Sequence, residues 1–304
     1  MLVSAKPLLQ KARAHGYAIG AFNFNNLEQL QAIISAAEAE KSPVIVSTSE
    51  GAIQYATMAQ LVAMAHVAAK ATRIPVVLHL DHGKDPDIVK QAIKSGYTSV
   101  MFDGSSRPYG QNVLLTKELV TLAHRCRVPL EAELGVLKGI EDNVGATKNI
   151  LTDPVQAQEF IQKTGCDSIA VAIGTSHGVH KFKGQAHLDF QRLREIAALV
   201  KIPIVLHGAS GVLENLVMEA EHYGAHLGEA HGVDDNSILN AIKIGVAKVN
   251  IDSDLRLAFI DAVRKVIHDQ PEAFDPRQIL GPARDLMTQV VRQKMQLFGS
   301  SGKA

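Results

Sequence analysis

The sequence predicts an α/β protein folded as a single-domain (β/α)8 TIM barrel, and three observations lead there. Short β-branched runs alternate with longer amphipathic stretches, as a parallel sheet with crossover helices requires. No Gly/Ser-rich or Pro-rich linker divides the 304 residues, so one domain is expected over 1–304. Acids and histidines fall at the C-terminal ends of the predicted strands, the face on which such a barrel collects its polar chemistry.

The strands are expected over 17–22 (YAIGAF), 43–48 (PVIVST), 75–80 (PVVLHL), 97–102 (YTSVMF), 129–134 (PLEAEL), 167–173 (DSIAVAI), 203–207 (PIVLH) and 246–250 (VAKVN). Helical patterns lie between them, among them LEQLQAIISAAEAEK, MAQLVAMAHVAAKA, PDIVKQAIKSG and DPVQAQEFIQKTG. Several end in Gly or Lys before the next strand, and Asp153-Pro154 reads as a cap followed by a first-turn proline. An open doubly wound sheet would explain the alternation but would give no reason for the polar strand ends. Two segments exceed an ordinary βα loop. Residues 135–151 are polar and glycine-containing, either a lid or a surface loop, and 211–236 form an extended connection after the seventh strand that carries its own helix. From Asp275 onward a helical tail containing PARDLMTQVVRQKMQLF covers the barrel or a partner subunit.

Bulk properties narrow the functional classes. Hydrophobic residues make up 46% of the chain, enough for a large core, and 31 basic residues balance 31 acidic ones. No global field therefore recruits nucleic acid or anionic lipid, although local phosphate pockets remain open. The N-terminal stretch lacks a signal-peptide core and no apolar run reaches spanning length, so a protein without membrane partners is expected. Cys126 and Cys166 are the only cysteines, a usage suited to a reducing cytoplasm.

Chemistry is carried by the strand ends. Asp81-His82 follows VVLHL, Asp103 follows TSVMF, Glu133 closes PLEAEL, His177 follows SIAVAIGTS, His207 closes IPIVL, and Asp252 follows VAKVNI. In a barrel these positions become neighbours around one axis. His82, His177 and His207 then supply three imidazoles with a fourth position open, the composition of a catalytic zinc site. A lone histidine after a strand is more often a hydrogen-bonded loop residue, but each of these three precedes a glycine at a strand end. His79 is expected to be a supporting or packing residue. The HGASG and NIDSD segments follow the seventh and eighth strands, the usual phosphate place in this fold. Gly208 and Gly211 there, and Gly178 after the sixth strand, allow close backbone approach, and Asn250–Ser253 lead into a helix N-terminus whose amides suit phosphate. A plain helix cap by Ser253 is the simpler alternative.

The segments GAFNFNN, SEGA, LDHG, MFDGSS, EAELG, GIEDN, GTSHG, KFKG, LHGASG and NIDSDLRLAF together resemble class II fructose-bisphosphate aldolases, particularly the shorter class IIB branch. The resemblance runs from about residue 1 to residue 300. It implies reversible cleavage of fructose 1,6-bisphosphate to dihydroxyacetone phosphate and glyceraldehyde 3-phosphate, a step of glycolysis and gluconeogenesis, with zinc stabilising the enediolate. His82, His177 and His207 would bind Zn2+, Asp81 would be the acid/base at the C4 oxygen, and Glu141 would move a proton at C3. Asp103 and Glu133 match acids that hold a second divalent metal or an alternative position of the first, and a monovalent cation, Na+ or K+, is compatible. Asn23, Gly178, Lys181, Gly208, Ser210, Asn250, Asp252 and Ser253 match substrate contacts, and Ser49 matches one near the aldehyde-phosphate end. Arg256 matches an arginine delivered by a neighbouring subunit, which implies a homodimer or homotetramer.

The chain departs from the family at His180, where relatives often carry an aromatic residue, and at Arg107, Gly110 and Gln111, where they often carry acids. None of these is a position with an assigned role. The 211–234 segment also diverges, which bears on assembly contacts. Tagatose-bisphosphate aldolase is the nearest alternative, and Asp252 and Arg256 favour the fructose epimer. Lys248 shares strand parity with Asn250 and Asp252, so a Schiff-base aldolase is another. A core lysine paired with a carboxylate is the simpler reading of Lys248. A zinc hydrolase and a non-catalytic phosphosugar binder complete the alternatives.

Overall fold

The computed structural model describes the backbone of every residue except 137, 142–143, 147–149, 178–186 and 229, and additionally leaves out the side chains of 138–141, 144–146 and 177. The expected alternation is present. Helix α1 (Ala5–His15) precedes β1 (Ile19–Asn23), followed by α2 (Leu27–Glu40), β2 (Val44–Thr48), α3 (Glu50–Ala56), α4 (Met58–Ala71) and β3 (Val76–Gly83). Then come α5 (Pro86–Ser95), β4 (Ser99–Phe102), α6 (Tyr109–Arg125), β5 (Leu130–Leu134), β6 (Lys138–Glu141) and β7 (Val144–Ala146). The chain continues through α7 (Pro154–Thr164), β8 (Ser168–Val171), β9 (Ser176–His177), α8 (Phe190–Leu199) and β10 (Ile204–Leu206). It ends with α9 (Glu214–His222), α10 (Asp235–Ile244), β11 (Val246–Ile251), α11 (Ser253–Asp269) and α12 (Pro276–Leu297).

Strands β1, β2, β3, β4, β5, β8, β10 and β11 close into a parallel barrel, with β1 pairing β11 from Ile19↔Lys248 to Phe22↔Ile251. Each barrel strand falls within two residues of its expected span except β3, which runs three residues further, to Gly83. The helices start where local chemistry satisfies their free amides: Asp153 accepts from Gln156 N–H at 2.8 Å ahead of Pro154, and Asp85 and Asn26 cap α5 and α2 in the same way. The tail helix expected from Asp275 onward begins at Pro276: Asp275 caps it by accepting from Arg277 N–H at 2.9 Å, and Pro282 is absorbed inside the helix. The 135–151 segment contains more structure than a loop: β6 and β7 form a short hairpin, and β6 also pairs in parallel with β9.

Alternation of side chains sets two environments. One face of each strand packs against the helices in the main core, for example Phe22, Val46, Leu78, Leu80 and Phe102. The other face fills the barrel. At its N-terminal end Ile19, Ile45 and Val77 pack with Ala5, Leu9 and Ala12 of α1, which closes that mouth. Asp167 secures the same end by accepting from Lys6 Nζ and His124 Nε2, each at 2.8 Å, and from Leu130 N–H at 2.9 Å. With one mouth closed, access to the interior is from the C-terminal end of the strands. Among the described residues no helix is long and apolar enough to cross a membrane.

Candidate active site

The site starts with an irregularity in β3. Its register with β4 shifts between Leu80 and Gly83, and within that bulge His82 takes φ 46°, in the left-handed region that non-glycine residues rarely occupy. Gly83 must follow, since a Cβ there would lie 2.7 Å from the Met101 carbonyl oxygen. The bulge places Asp81 and His82 next to each other on the barrel's inner rim, where an even pleat would have sent one outward. Glu50 steadies the loop beyond by accepting from Lys84 N–H at 2.7 Å and Asp85 N–H at 2.9 Å.

Asp81 is clamped on both sides. Asn23 Nδ2 donates to one carboxylate oxygen and Asn250 Nδ2 to the other, each at 2.9 Å, so strands β1 and β11 fix an acid carried by β3. The amide oxygens of Asn23 and Asn250 are buried without a hydrogen-bond partner among the described residues. His207, at the end of β10, packs edge-on to His82 with ring centroids 4.4 Å apart, and its Nδ1 lies 3.9 Å from Asp81. Its other nitrogen, Nε2, is 2.9 Å from Glu131 Oε1. Glu131 also accepts two bonds from Lys248 Nζ at 2.8 and 3.0 Å, and Lys248 sits 3.2 Å from His79 Nε2. These bonds join non-adjacent strands and therefore cross the barrel interior. Lys248 is the expected core lysine with a carboxylate partner, and His79 is the expected supporting residue.

Glu131 is the site-supporting residue that sequence reasoning missed. Its signal was present in LEAEL, where Glu131 and Glu133 share parity and must face the same side. An imidazole that donates Nε2–H to a carboxylate keeps its Nδ1 lone pair for another partner, a tautomer selection common around metal-binding histidines.

Two overlapping donor groups result. Asp81, His82 and His207 offer ligand atoms within 4.8 Å of one another, and so do His82, Asp103 and Glu133. His82 Nδ1 is 3.2 Å from Asp103 and 3.5 Å from Glu133. Burial works against charge on His82, yet the facing carboxylates of Asp81, Asp103 and Glu133 outweigh it and push the imidazole pKa up to about 10. Burial also opposes charge on Asp103, but bonds from His82 and Ser105 hold it well below the carboxylate range. Glu133 moves the other way, raised by burial and then by Asp103. His79 is held neutral by burial and by the neighbouring Lys248 charge. So much negative charge around two imidazoles is what a divalent cation would neutralise, and the N/O donor set suits zinc. The third expected ligand, His177, has its backbone in β9 but its side chain lies outside the described residues.

The remaining expected positions divide into three groups. Asn23, Asp81, His82 and His207 line one small cavity together with Gly208, Ser210, Asn250 and Asp252. Gly208, at φ 62°, is required there, because a Cβ would meet the Ser176 carbonyl oxygen at 2.5 Å. Ser253 is buried at the start of α11. Asp252, not Ser253, occupies the cap position, and it makes no side-chain cap because its carboxylate is paired with Arg256 at 2.7 Å. Arg256 is thus turned onto its own chain and lines a second, outer concavity with Asn25, Asn26 and Tyr55. Ser49 is apart from the cavity and caps α3 by accepting from Ala52 N–H at 3.2 Å. Gly178, Lys181 and the Glu141 side chain lie outside the described residues.

Comparison with known proteins adds to this geometry. The family model described as fructose-bisphosphate aldolase class-II matches residues 3–303. The chain is similar to the fructose-bisphosphate aldolase of Thermus caldophilus, at 49% identity with all of both chains covered. It is also similar to the fructose-bisphosphate aldolase of Giardia intestinalis, at 45% identity over all of this chain and 94% of the relative. Among solved structures, the YdjI aldolase from Escherichia coli K12 superposes with a TM-score of 0.82 at 34% identity, with both chains covered completely.

Proposed function

The chain belongs to the class II fructose-bisphosphate aldolase family, a family of lyases, and from that premise we propose that it reversibly cleaves fructose 1,6-bisphosphate to dihydroxyacetone phosphate and glyceraldehyde 3-phosphate. The observation that carries the reading is the clamped carboxylate of Asp81 beside His82 and His207, in one cavity with Gly208, Ser210 and Asp252. His82, His177 and His207 would hold Zn2+, with Asp103 and Glu133 as a second or alternative metal position. When bound, zinc supplies Lewis-acid polarisation of the substrate's ketone oxygen.

The chain's own residues account for the proton movements. Asp81, fixed by Asn23 and Asn250, takes the proton of the C4 hydroxyl. The C4–O electrons form the aldehyde carbonyl as the C3–C4 bond breaks, and that bond's electrons pass into the C2–C3 unit. Glu141 returns a proton to C3. The Asn23 and Asn250 oxygens, left over from clamping Asp81, are acceptors for sugar hydroxyls. Gly208, Ser210, Asn250 and Ser253 would cradle one phosphate together with Gly178 and Lys181, and Ser49 and Arg256 would serve the other end. Anchoring both ends supplies binding energy away from the reacting bond.

Asp252 and Arg256 favour the fructose over the tagatose epimer. The same reading assigns a cytoplasmic enzyme acting as a homodimer or homotetramer, with Arg256 released from Asp252 to reach a neighbour's site. The test is an aldol-cleavage assay with metal analysis on the purified protein, before and after chelation, with zinc returned in the presence or absence of Na+ or K+. Loss with chelator and recovery with zinc is expected. Activity that persists in the stripped protein, or faster turnover of tagatose 1,6-bisphosphate, would overturn the corresponding part of the reading.

A further inference from the structure

The turn after β10 leaves ordinary backbone geometry twice, with Gly208 at φ 62° and Val212 at φ 48°. A β-branched residue in the left-handed region persists only where its surroundings hold it there. Asp254, in the first turn of α11 and fully buried, does the holding. Its Oδ2 accepts from Gly211 N–H at 3.0 Å and its Oδ1 from Val212 N–H at 2.6 Å, so both oxygens are committed to consecutive amides.

Behind Asp254 stands a second buried charge. Lys294 of α12, 4% exposed, places its ammonium 3.4 Å from Asp254 Oδ2 and 3.7 Å from Asp235 Oδ1. The space around the turn is full: a Cβ on Gly211 would meet Lys294 Nζ at 2.8 Å, and one on Gly232 would meet the Gly211 carbonyl carbon at 2.1 Å. Val233 N–H adds a bond to the Ser210 carbonyl at 3.1 Å. The other side of the same turn, Gly208 and Ser210, lines the cavity that holds Asp81, His82 and His207.

We infer that Asp254 and Lys294 are positioning residues for the anionic end of the substrate. Asp254 takes up the Gly211 and Val212 amides and fixes the turn so that its Gly208–Ser210 side keeps the shape needed to receive a phosphate group. Lys294 neutralises Asp254, which would otherwise set an uncompensated carboxylate one layer behind a phosphate and repel it. The C-terminal helix thereby reaches the substrate cavity without touching it. The inference rests on the reading of this turn as a phosphate cradle.

The test uses inorganic phosphate as a competitive inhibitor of aldol cleavage by the full-length protein, with thermal unfolding run alongside. Asp254→Asn keeps one acceptor oxygen but turns an NH2 toward an amide, and Lys294→Met removes the buried positive charge at similar length. Each is expected to weaken phosphate inhibition about tenfold and to raise KM for the bisphosphate more than it lowers kcat. Folded variants that show only a lower Tm, with parent-like inhibition by phosphate, would overturn the inference and leave a structural role. If Asp254→Asn does not fold, adding Val212→Gly removes the backbone strain. Weak phosphate inhibition in that double variant supports positioning, whereas full recovery means that Asp254 serves only to hold Val212. Absence of phosphate inhibition in the parent overturns the cradle reading itself, an outcome distinct from the others.

Discussion

Replacing Glu131 tests whether the barrel interior is organised around a paired charge or merely contains one. Glu131 and Lys248 are 2% and 1% exposed, and Lys248 Nζ contacts both carboxylate oxygens, at 2.8 and 3.0 Å. Breaking one side of such a pair strands the other, at about 3–5 kcal/mol. Glu131→Gln keeps an acceptor oxygen for Lys248, so about 3 kcal/mol is expected, and Lys248→Met should cost a similar amount. The double variant removes both charges while Gln still accepts from His207 Nε2. Its cost should therefore be about 1 kcal/mol, far below the sum of the two single changes. Denaturant unfolding of metal-stripped protein measures all three. Additivity of the singles to within about 0.5 kcal/mol would refute a coupled pair. The chain of contacts also predicts that Glu131→Gln lowers zinc affinity about 10- to 100-fold, because His207 loses the charged partner that selects its tautomer. Borohydride with substrate should leave the parent active, and inactivation would restore Lys248 as a Schiff-base amine.

Asp81→Asn preserves shape but cannot accept the C4 proton, so kcat should fall by about 10²–10⁴ in a cleavage assay while the protein remains folded. A loss below tenfold would remove Asp81 as the base. Asp167→Asn weakens the tie between α1, α6 and the base of the barrel, and unfolding should show a cost of about 1–3 kcal/mol at neutral pH. Burial raises the Asp167 pKa, but Lys6, the Leu130 amide and His124 outweigh it and hold it below its ordinary 3.8. The stabilisation is therefore complete above the ordinary carboxylate range and is lost as pH falls through the depressed native value. The gap between parent and variant should stay constant near about pH 5 and close on further acidification, and a gap unchanged in strong acid would contradict the pairing. Tyr97→Phe removes a buried 2.7 Å bond to Thr48 and should cost about 1–2 kcal/mol, read from the same unfolding curves.

The barrel was legible because its strands are short β-branched runs whose polar residues sit at one end, as at Asp81, His207 and Asn250. Strand-end position fixes approximate location without any knowledge of partners. Partners were harder to read. Asn23 and Asn250 were expected to face substrate, yet both direct their amide protons to Asp81, a bond between strands far apart in sequence. Lys248 called for a carboxylate, but nothing local singled out Glu131 as the one across the axis. Asp254 and Lys294 carry no pattern at all: one follows the more conspicuous Asp252, and the other resembles any lysine on an amphipathic tail. The helical tail was legible from Asp275 onward, and α12 does begin at Pro276 and runs through Pro282. The β6–β7 hairpin was hidden in a polar segment without strand periodicity.

The pairing of β1 with β11 has a consequence for the chain's assembly. Strand β1 emerges early in synthesis, but one of its two hydrogen-bonding edges finds its neighbour only after nearly the whole sequence has been made. Until then that edge, running through Ile19, Ala21 and Phe22, is an open template for other strands. Ring closure joins residues of very large sequence separation and should come late and slowly. A truncation that removes β11 while sparing every earlier element would therefore be expected to leave an aggregation-prone open sheet instead of a smaller working protein.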